Sequence, residues 1–226
     1  MTEANTLPHD IYSADDWLMI RALPAARIAG LAQAAARQGG WDEIVPGLDS
    51  LSLSWNPSRS ALADVHAHAA SLLIQAHEPS VATQPETAVL HICYDAAWAP
   101  DAEIVSELLG MDMGDLPAWH SAQTWRVAML GFQPGFAYLV CDTAIPDIPR
   151  LADPRSHVEA GSVGLLGRQC GLYPHAGPGG WPVIGRIAET LFDPLQPSPA
   201  LLSPGQAVRF ERLDRAAFDS LIGHHA

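Results

Sequence analysis

The N-terminal third of the chain alternates between strand-like and helix-like spacing of its apolar residues. Residues 16–20, Asp16-Trp17-Leu18-Met19-Ile20, read as a strand. Over residues 23–36 the apolar positions Ile28, Leu31, Ala32 and Ala35 recur at the period of an amphipathic helix, and Gly39-Gly40 ends it. Residues 41–45 and 48–55 follow as two strands across Pro46-Gly47. In the second, Leu51, Leu53 and Trp55 alternate with Ser52 and Ser54, so one face is buried. Ser58 has the chemistry of an N-cap for a helix running to about residue 76. The order β-α-β-β-α is most of a split, ferredoxin-like motif. Residues 78–87 are polar, carry two prolines and read as a linker. A small α+β domain over residues 1–85 and a second domain over residues 86–226 are therefore expected.

The second domain opens with a strand at 88–94. A helix over 100–109 carries Ile104, Val105, Leu108 and Leu109 on one face, and a short helix is expected at 115–122. From Trp125 onward the period changes. Short apolar runs at 125–130, 137–140, 162–166, 181–187 and 207–210 are separated by Gly/Pro-rich turns. Such punctuation predicts a closed or nearly closed β structure. A last helix over 214–222 packs outside it. The fold class is α+β.

Composition narrows the chemistry. Apolar residues make up 48% of the 226 residues, enough for a core in each domain. The formal net charge is −13, which repels a phosphate backbone and argues against nucleic acid. No lysine is present, so all 12 basic side chains are arginines. That excludes a Schiff-base lysine, a lysine general base and a P-loop. An anionic substrate must be held by arginine, backbone N–H groups, protonated histidine or a metal. No apolar run reaches the roughly 18–20 residues of a membrane helix, and the polar, acidic first ten residues carry no secretory pattern. Cys93, Cys141 and Cys170 lie far apart without a CxxC pair and suit a reducing cytoplasm.

Several motifs fail. Ala160-Gly161-Ser162-Val163-Gly164 lacks the first glycine and the strand-turn-helix context of a nucleophile elbow. His66 and His68 sit two apart on a helix and face apart, while His224 and His225 lie at the chain end; no metal site is expected. Two segments remain. The first, residues 129–139, runs into Pro134-Gly135-Phe136 with Phe132 and Tyr138 beside it. It is either an aromatic-plugged β-connection or a rigid pocket loop. The second, residues 159–186, holds eight glycines in 28 residues, interleaved with Arg168, Gln169, Tyr173, His175, Trp181 and Arg186. Glycine costs roughly 0.5–1 kcal/mol relative to alanine inside an element, so this density points to backbone shaped around a ligand, the alternative being a purely structural set of barrel corners. Arg168, Gln169 and Arg186 are the polar candidates, and Trp181 is expected in the core. His120 is the candidate proton shuttle by residue type, or else a histidine on a helix surface. Asp95, at a strand end, is a candidate ligand to metal or substrate, or a turn cap.

The two segments together resemble the family that holds the B-type subunit of 5-oxoprolinase, allophanate hydrolase subunit 1 and the KipI-like proteins. The resemblance rests on Gly131-Phe132-Gln133-Pro134-Gly135-Phe136-Ala137-Tyr138-Leu139, Pro154-Arg155, Ala160 to Gly164, Gln169 to Pro174, Pro178-Gly179-Gly180-Trp181, Ile184-Gly185-Arg186 and Leu191-Phe192-Asp193-Pro194. Departures stand at Glu159, Arg168, Cys170, Gly177 and Ile187. The resemblance implies a cyclophilin-like β-barrel for the second domain. It implies a subunit of an amide-hydrolysing complex that opens 5-oxoproline to glutamate with ATP and Mg2+, beside a C-type (KipA-like) paralogous subunit and an A-type subunit. It implies catalytic roles for His120 and Asp95. Substrate or nucleotide binding falls to Pro134, Gly135, Phe136, Arg155, Arg168, Gln169, Tyr173, Gly179, Gly180 and Arg186. Alternatives within the family are a KipI-like inhibitor of a sensor histidine kinase and a biotin-dependent urea carboxylase or allophanate system.

Overall fold

A computed structural model describes residues 11–21, 23, 25–75 and 86–223. The expected linker lies outside them except for residues 86 and 87, as do His224 and His225. The chain forms two compact units, residues 1–83 and 84–226.

In the first unit, β1 (Ile11–Ala14), β2 (Trp17–Ile20), β4 (Leu51–Ser54) and β3 (Glu43–Pro46) form an antiparallel sheet in the order β1-β2-β4-β3. Helices α1 (Ala25–Gln38) and α2 (Leu62–Gln75) belong to the same core. The split β-α-β is present: β4 lies between β2 and β3. The sequence pattern missed β1, which occupies the sheet edge beside β2. No strand of the first unit follows α2 among the described residues. The buried side chains are those the two periods select: Leu18, Ile20, Leu51 and Leu53 from the sheet, Ile28, Leu31 and Ala35 from α1, and Val65, Ala69, Leu72 and Leu73 from α2. Ser58 does not cap α2. Its amide donates to Asn56 Oδ1 at 2.9 Å in a preceding turn, and the helix starts four residues later.

The second unit is a closed seven-stranded barrel, where the resemblance implied a cyclophilin-like one. Its strands are β5 (Ala88–Cys93), β6 (Trp125–Leu130), β7 (Ala137–Cys141), β9 (Ser162–Leu166), β10 (Gln169–Leu172), β12 (Val183–Ile187) and β13 (Ala207–Arg212). The order round the barrel is β10-β7-β6-β13-β5-β12-β9, and β9 pairs with β10 to close it. Only β13 and β5 run parallel. A short outlying sheet joins β8 (Arg155–Val158) to β11 (Gly177–Gly179). The sequence pattern did not yield β8, β10 or β11, which are short and glycine-rich or polar.

Inward-facing residues fill the barrel: Leu90 and Ile92, Trp125 and Val127, Leu139, Val163 and Leu165, Cys170 and Leu172, Val208 and Phe210. Helices α3 (Ala102–Leu109), α4 (Leu116–Ala122) and α5 (Arg215–Gly223) complete the unit. The apolar face of α3 differs from the expectation. Val105 is buried and Leu109 packs on the core, but Ile104 and Leu108 are exposed.

Outside the barrel wall the alternation exposes a bare strip. Gly171 of β10 is in register with Tyr138 of β7 and Gly164 of β9, and Gly164 with Val183 of β12. Trp181 lies across it. A Cβ on Gly171 would meet Trp181 Cζ3 at 2.6 Å and Phe136 Cζ at 2.9 Å. Gly171→Ala is expected to destabilise the second unit by about 1–3 kcal/mol through overpacking. Gly30, inside α1, has nothing within 4 Å of such a Cβ; Gly30→Ala is expected to stabilise the first unit by about 0.5–1 kcal/mol. Urea unfolding followed separately in the two units checks both.

Candidate functional site

On the glycine strip the outward-facing rings assemble around Phe136. Tyr173 and Trp181 meet it edge-on, with centroids 5.1 and 5.9 Å away, and Tyr138 sits at 4.8 Å. Phe132 packs edge-on at 5.4 Å but leaves 65% of its surface exposed. Its backbone has φ +69°, a left-handed conformation costly for a residue with a side chain. The loop can turn here because Gly135 also has positive φ, +82°, and lies so close to Phe192 that a Cβ would meet that side chain at 2.6 Å.

These rings wall a cleft of about 260 Å³. Pro154, Pro178, Gly179 and Gly180 complete its rim, and Arg150 supplies its one cation. Arg150 makes no ion pair within 4 Å among the described residues, and its Nη1 lies 3.6 Å from where a Cβ on Gly180 would stand. The Leu151 N–H donates to the Gly180 carbonyl at 2.9 Å, which fixes the Arg150 segment to the rim.

The phenols of Tyr138 and Tyr173 titrate above the ordinary tyrosine range. Burial is the main cause for both; Arg150 opposes it in both, and a Trp181 backbone N–H opposes it at Tyr173. Both phenols are therefore protonated donors at neutral pH. No Asp, Glu, His or Cys lines the cleft. It can hold a small, flat, anionic molecule, but it contains no group that titrates near neutrality for general acid–base work and no nucleophile of ordinary reactivity.

Of the residues expected here, Phe136, Tyr173, Gly179 and Gly180 line the cleft, and Pro134 and Gly135 shape the loop beside it. The arginines do not converge. Arg168 turns at the β9–β10 hairpin and donates through Nε to the Ile145 carbonyl. Arg186 donates to the Ala160 carbonyl and stacks its guanidinium 4.5 Å from the Trp98 ring, which also carries Arg215 at 5.2 Å. Arg155 is held bidentate by Asp101, both contacts 2.7 Å. Gln169 opens β10 opposite Leu166 and does not line the cleft. Asp95 is a turn cap: its Oδ1 accepts the Ala97 N–H and the Arg215 guanidinium.

His120 is not at a surface but fully buried in the barrel core. Its Nδ1 is 2.7 Å from Tyr94 Oη and its Nε2 is 3.6 Å from Cys170 Sγ, between the rings of Phe210 and Trp125. Burial lowers its pKa to about 3 and pushes the Tyr94 phenol up. A neutral ring sealed from solvent orders the core; it does not shuttle protons to a cleft.

Sequence reading missed Arg150. The signal was present: Pro149-Arg150 repeats the Pro-Arg pair of Pro154-Arg155 five residues earlier in the same proline-rich stretch. Among the described residues no three His, Cys, Asp or Glu side chains form a metal-binding set.

The profile of the carboxyltransferase domain, subdomain C and D, matches residues 19–202. The chain belongs to that family. It is 39% identical to the B-type subunit of 5-oxoprolinase from Escherichia coli over 187 residues, covering 81% of this chain and 84% of that one. Among solved structures, TTHA0988 superposes with a TM-score of 0.73 at 30% identity, over 87% of this chain but only 40% of its own. Urea carboxylase of Kluyveromyces lactis superposes at 0.72 over 95% of this chain and 22% of its own; at 16% identity it shows the fold alone.

This family member's buried histidine has a measurable consequence. The unfolded state binds a proton near pH 6.5 that the native state refuses until about pH 3. Stability from this group is thus complete above about pH 6.5 and falls as the pH drops toward 3, by up to about 1.4 kcal/mol per pH unit. Urea midpoints measured from pH 7 to pH 4 are expected to fall less steeply for His120→Phe than for the wild type.

Proposed function

We propose that this chain is the B-type subunit of a 5-oxoprolinase-type hydrolase, holding 5-oxoproline while its ring amide is opened to glutamate with ATP. The observation that carries the reading is the relationship to the B-type subunit of 5-oxoprolinase along most of both chains. The cleft supports it. Arg150 suits the substrate carboxylate, the aromatic walls suit the flat lactam ring, and the phenols of Tyr138 and Tyr173 can donate to its amide oxygen.

The cleft's lack of a base or nucleophile supports a shared site, in which the C-type and A-type subunits bring the reactive groups. The described residues do not fit Mg-ATP on this chain. One arginine faces the cleft, the volume is below the roughly 300–1,000 Å³ usual for ligand pockets, and no carboxylate set stands ready for the metal. The nucleotide is therefore assigned to a partner. Three free cysteines suit the cytoplasm, and among the described residues no helix is long and apolar enough to cross a membrane. The biotin-dependent alternative rests on a likeness of fold alone.

The purified chain, mixed with its C- and A-type partners, is expected to release glutamate from 5-oxoproline only with ATP. Arg150→Met is expected to lower kcat/KM on the order of tenfold or more, about 1.4 kcal/mol of lost transition-state stabilisation. Arg168→Met, distant in role, should stay within about threefold. An assembled mixture that releases no glutamate overturns the reading.

A further inference from the structure

Asp101 stands at the N-cap position of α3, yet its carboxylate makes no capping bond to the helix. An aspartate there ordinarily accepts an N–H of the first turn. Here it is turned to another task. Its two oxygens take the Arg155 guanidinium bidentately at 2.7 Å each, and Oδ2 also accepts the Val183 N–H at 2.7 Å. The Asp101 N–H in turn donates to the Val183 carbonyl at 3.0 Å. The side chain is only 8% exposed.

Both partners flank the cleft rim. Arg155 is the register partner of Gly179, so it holds the strand that ends at Gly179, one residue before Gly180. Val183 begins β12 just after Trp181. The Gly180 carbonyl anchors Leu151 and hence Arg150. One carboxylate therefore fixes both ends of the segment that carries the indole and positions the free arginine. The same bond neutralises Arg155, five residues from Arg150, and leaves the cleft a single uncompensated cation.

We propose that Asp101 is the positioning residue of the cleft, and that Arg155 acts through it rather than by touching the ligand. The proposal rests on the reading of the cleft as a binding site for a small carboxylate. The full chain is titrated with 5-oxoproline by calorimetry and by tryptophan fluorescence, as wild type, Asp101→Asn, Arg155→Met and the double variant. Each single change is expected to raise Kd at least tenfold, and the double change no further, because both break one unit. Unchanged binding by Asp101→Asn overturns the proposal. So does an Arg155→Met loss that exceeds and adds to that of Asp101→Asn, since Arg155 would then contact the ligand itself. Amide exchange without ligand gives a second readout. Asp101→Asn is expected to speed exchange at least tenfold in peptides covering 150–155 and 179–183, with 125–130 unchanged. If the wild-type chain alone binds no 5-oxoproline, it does not hold the ligand without its partners and this exchange arm alone decides; equal protection in variant and wild type sinks the positioning role. Should Asp101→Asn not fold, Arg155→Met carries both arms.

Discussion

The close approach of Trp181 to the outer barrel wall is the contact on which the site depends. It exists because Gly164 and Gly171, paired across β9 and β10, present no Cβ beneath the indole. Strand alternation leaves Val163, Leu165, Cys170 and Leu172 facing inward to fill the barrel, so the missing side chains cost the core nothing. The indole sinks into the gap, Phe136 and Tyr173 close on it edge-on, and each such pair adds about 0.5–1.5 kcal/mol beyond its buried area. What remains beside the rings is the cleft.

The polar side chains divide into two groups by burial. His120 and Cys170 are sealed in the barrel, with the half-buried Tyr94 bonded to the histidine; burial holds the histidine neutral and the phenol and thiol protonated. They order the barrel interior and do not line the cleft. Arg150, Tyr138 and Tyr173 face the cleft as donors only. A site with a fixed cation, neutral phenols and apolar walls binds and orients, while proton transfer and attack need groups from elsewhere. That asymmetry is the physical support for the shared site proposed above.

The glycine-dense segment was legible as unusual but not in its meaning. Its glycines seat aromatic rings as often as they edge a cavity: Gly164 and Gly171 face Trp181, and Gly161 lies against the Ile187 carbonyl, whereas Gly179 and Gly180 border the cleft. The arginines that residue type pointed to are all engaged away from the cleft. Arg168 and Arg186 spend their Nε donors on the carbonyls of Ile145 and Ala160, and Arg155 is neutralised by Asp101. Nothing in the spacing of a single sequence tells a paired arginine from a free one, because the partner lies 54 residues away.

The sequence by itself determined the elements whose signal is periodic and local. Ile28, Leu31 and Ala35 made α1, Leu51 and Leu53 gave β4 its buried face, and the apolar runs at 125–130 and 162–166 are strands of the barrel to the residue. It also fixed the absence of lysine chemistry and, through its motifs, the family. The tertiary structure alone decided which apolar positions of α3 are buried, that β1 completes the first sheet, and that His120 is sealed inside. It also decided that Arg150 is the arginine the cleft receives. Those outcomes depend on which distant strand or side chain arrives at a position, and burial, pairing and charge compensation are properties of that arrival rather than of local order along the chain.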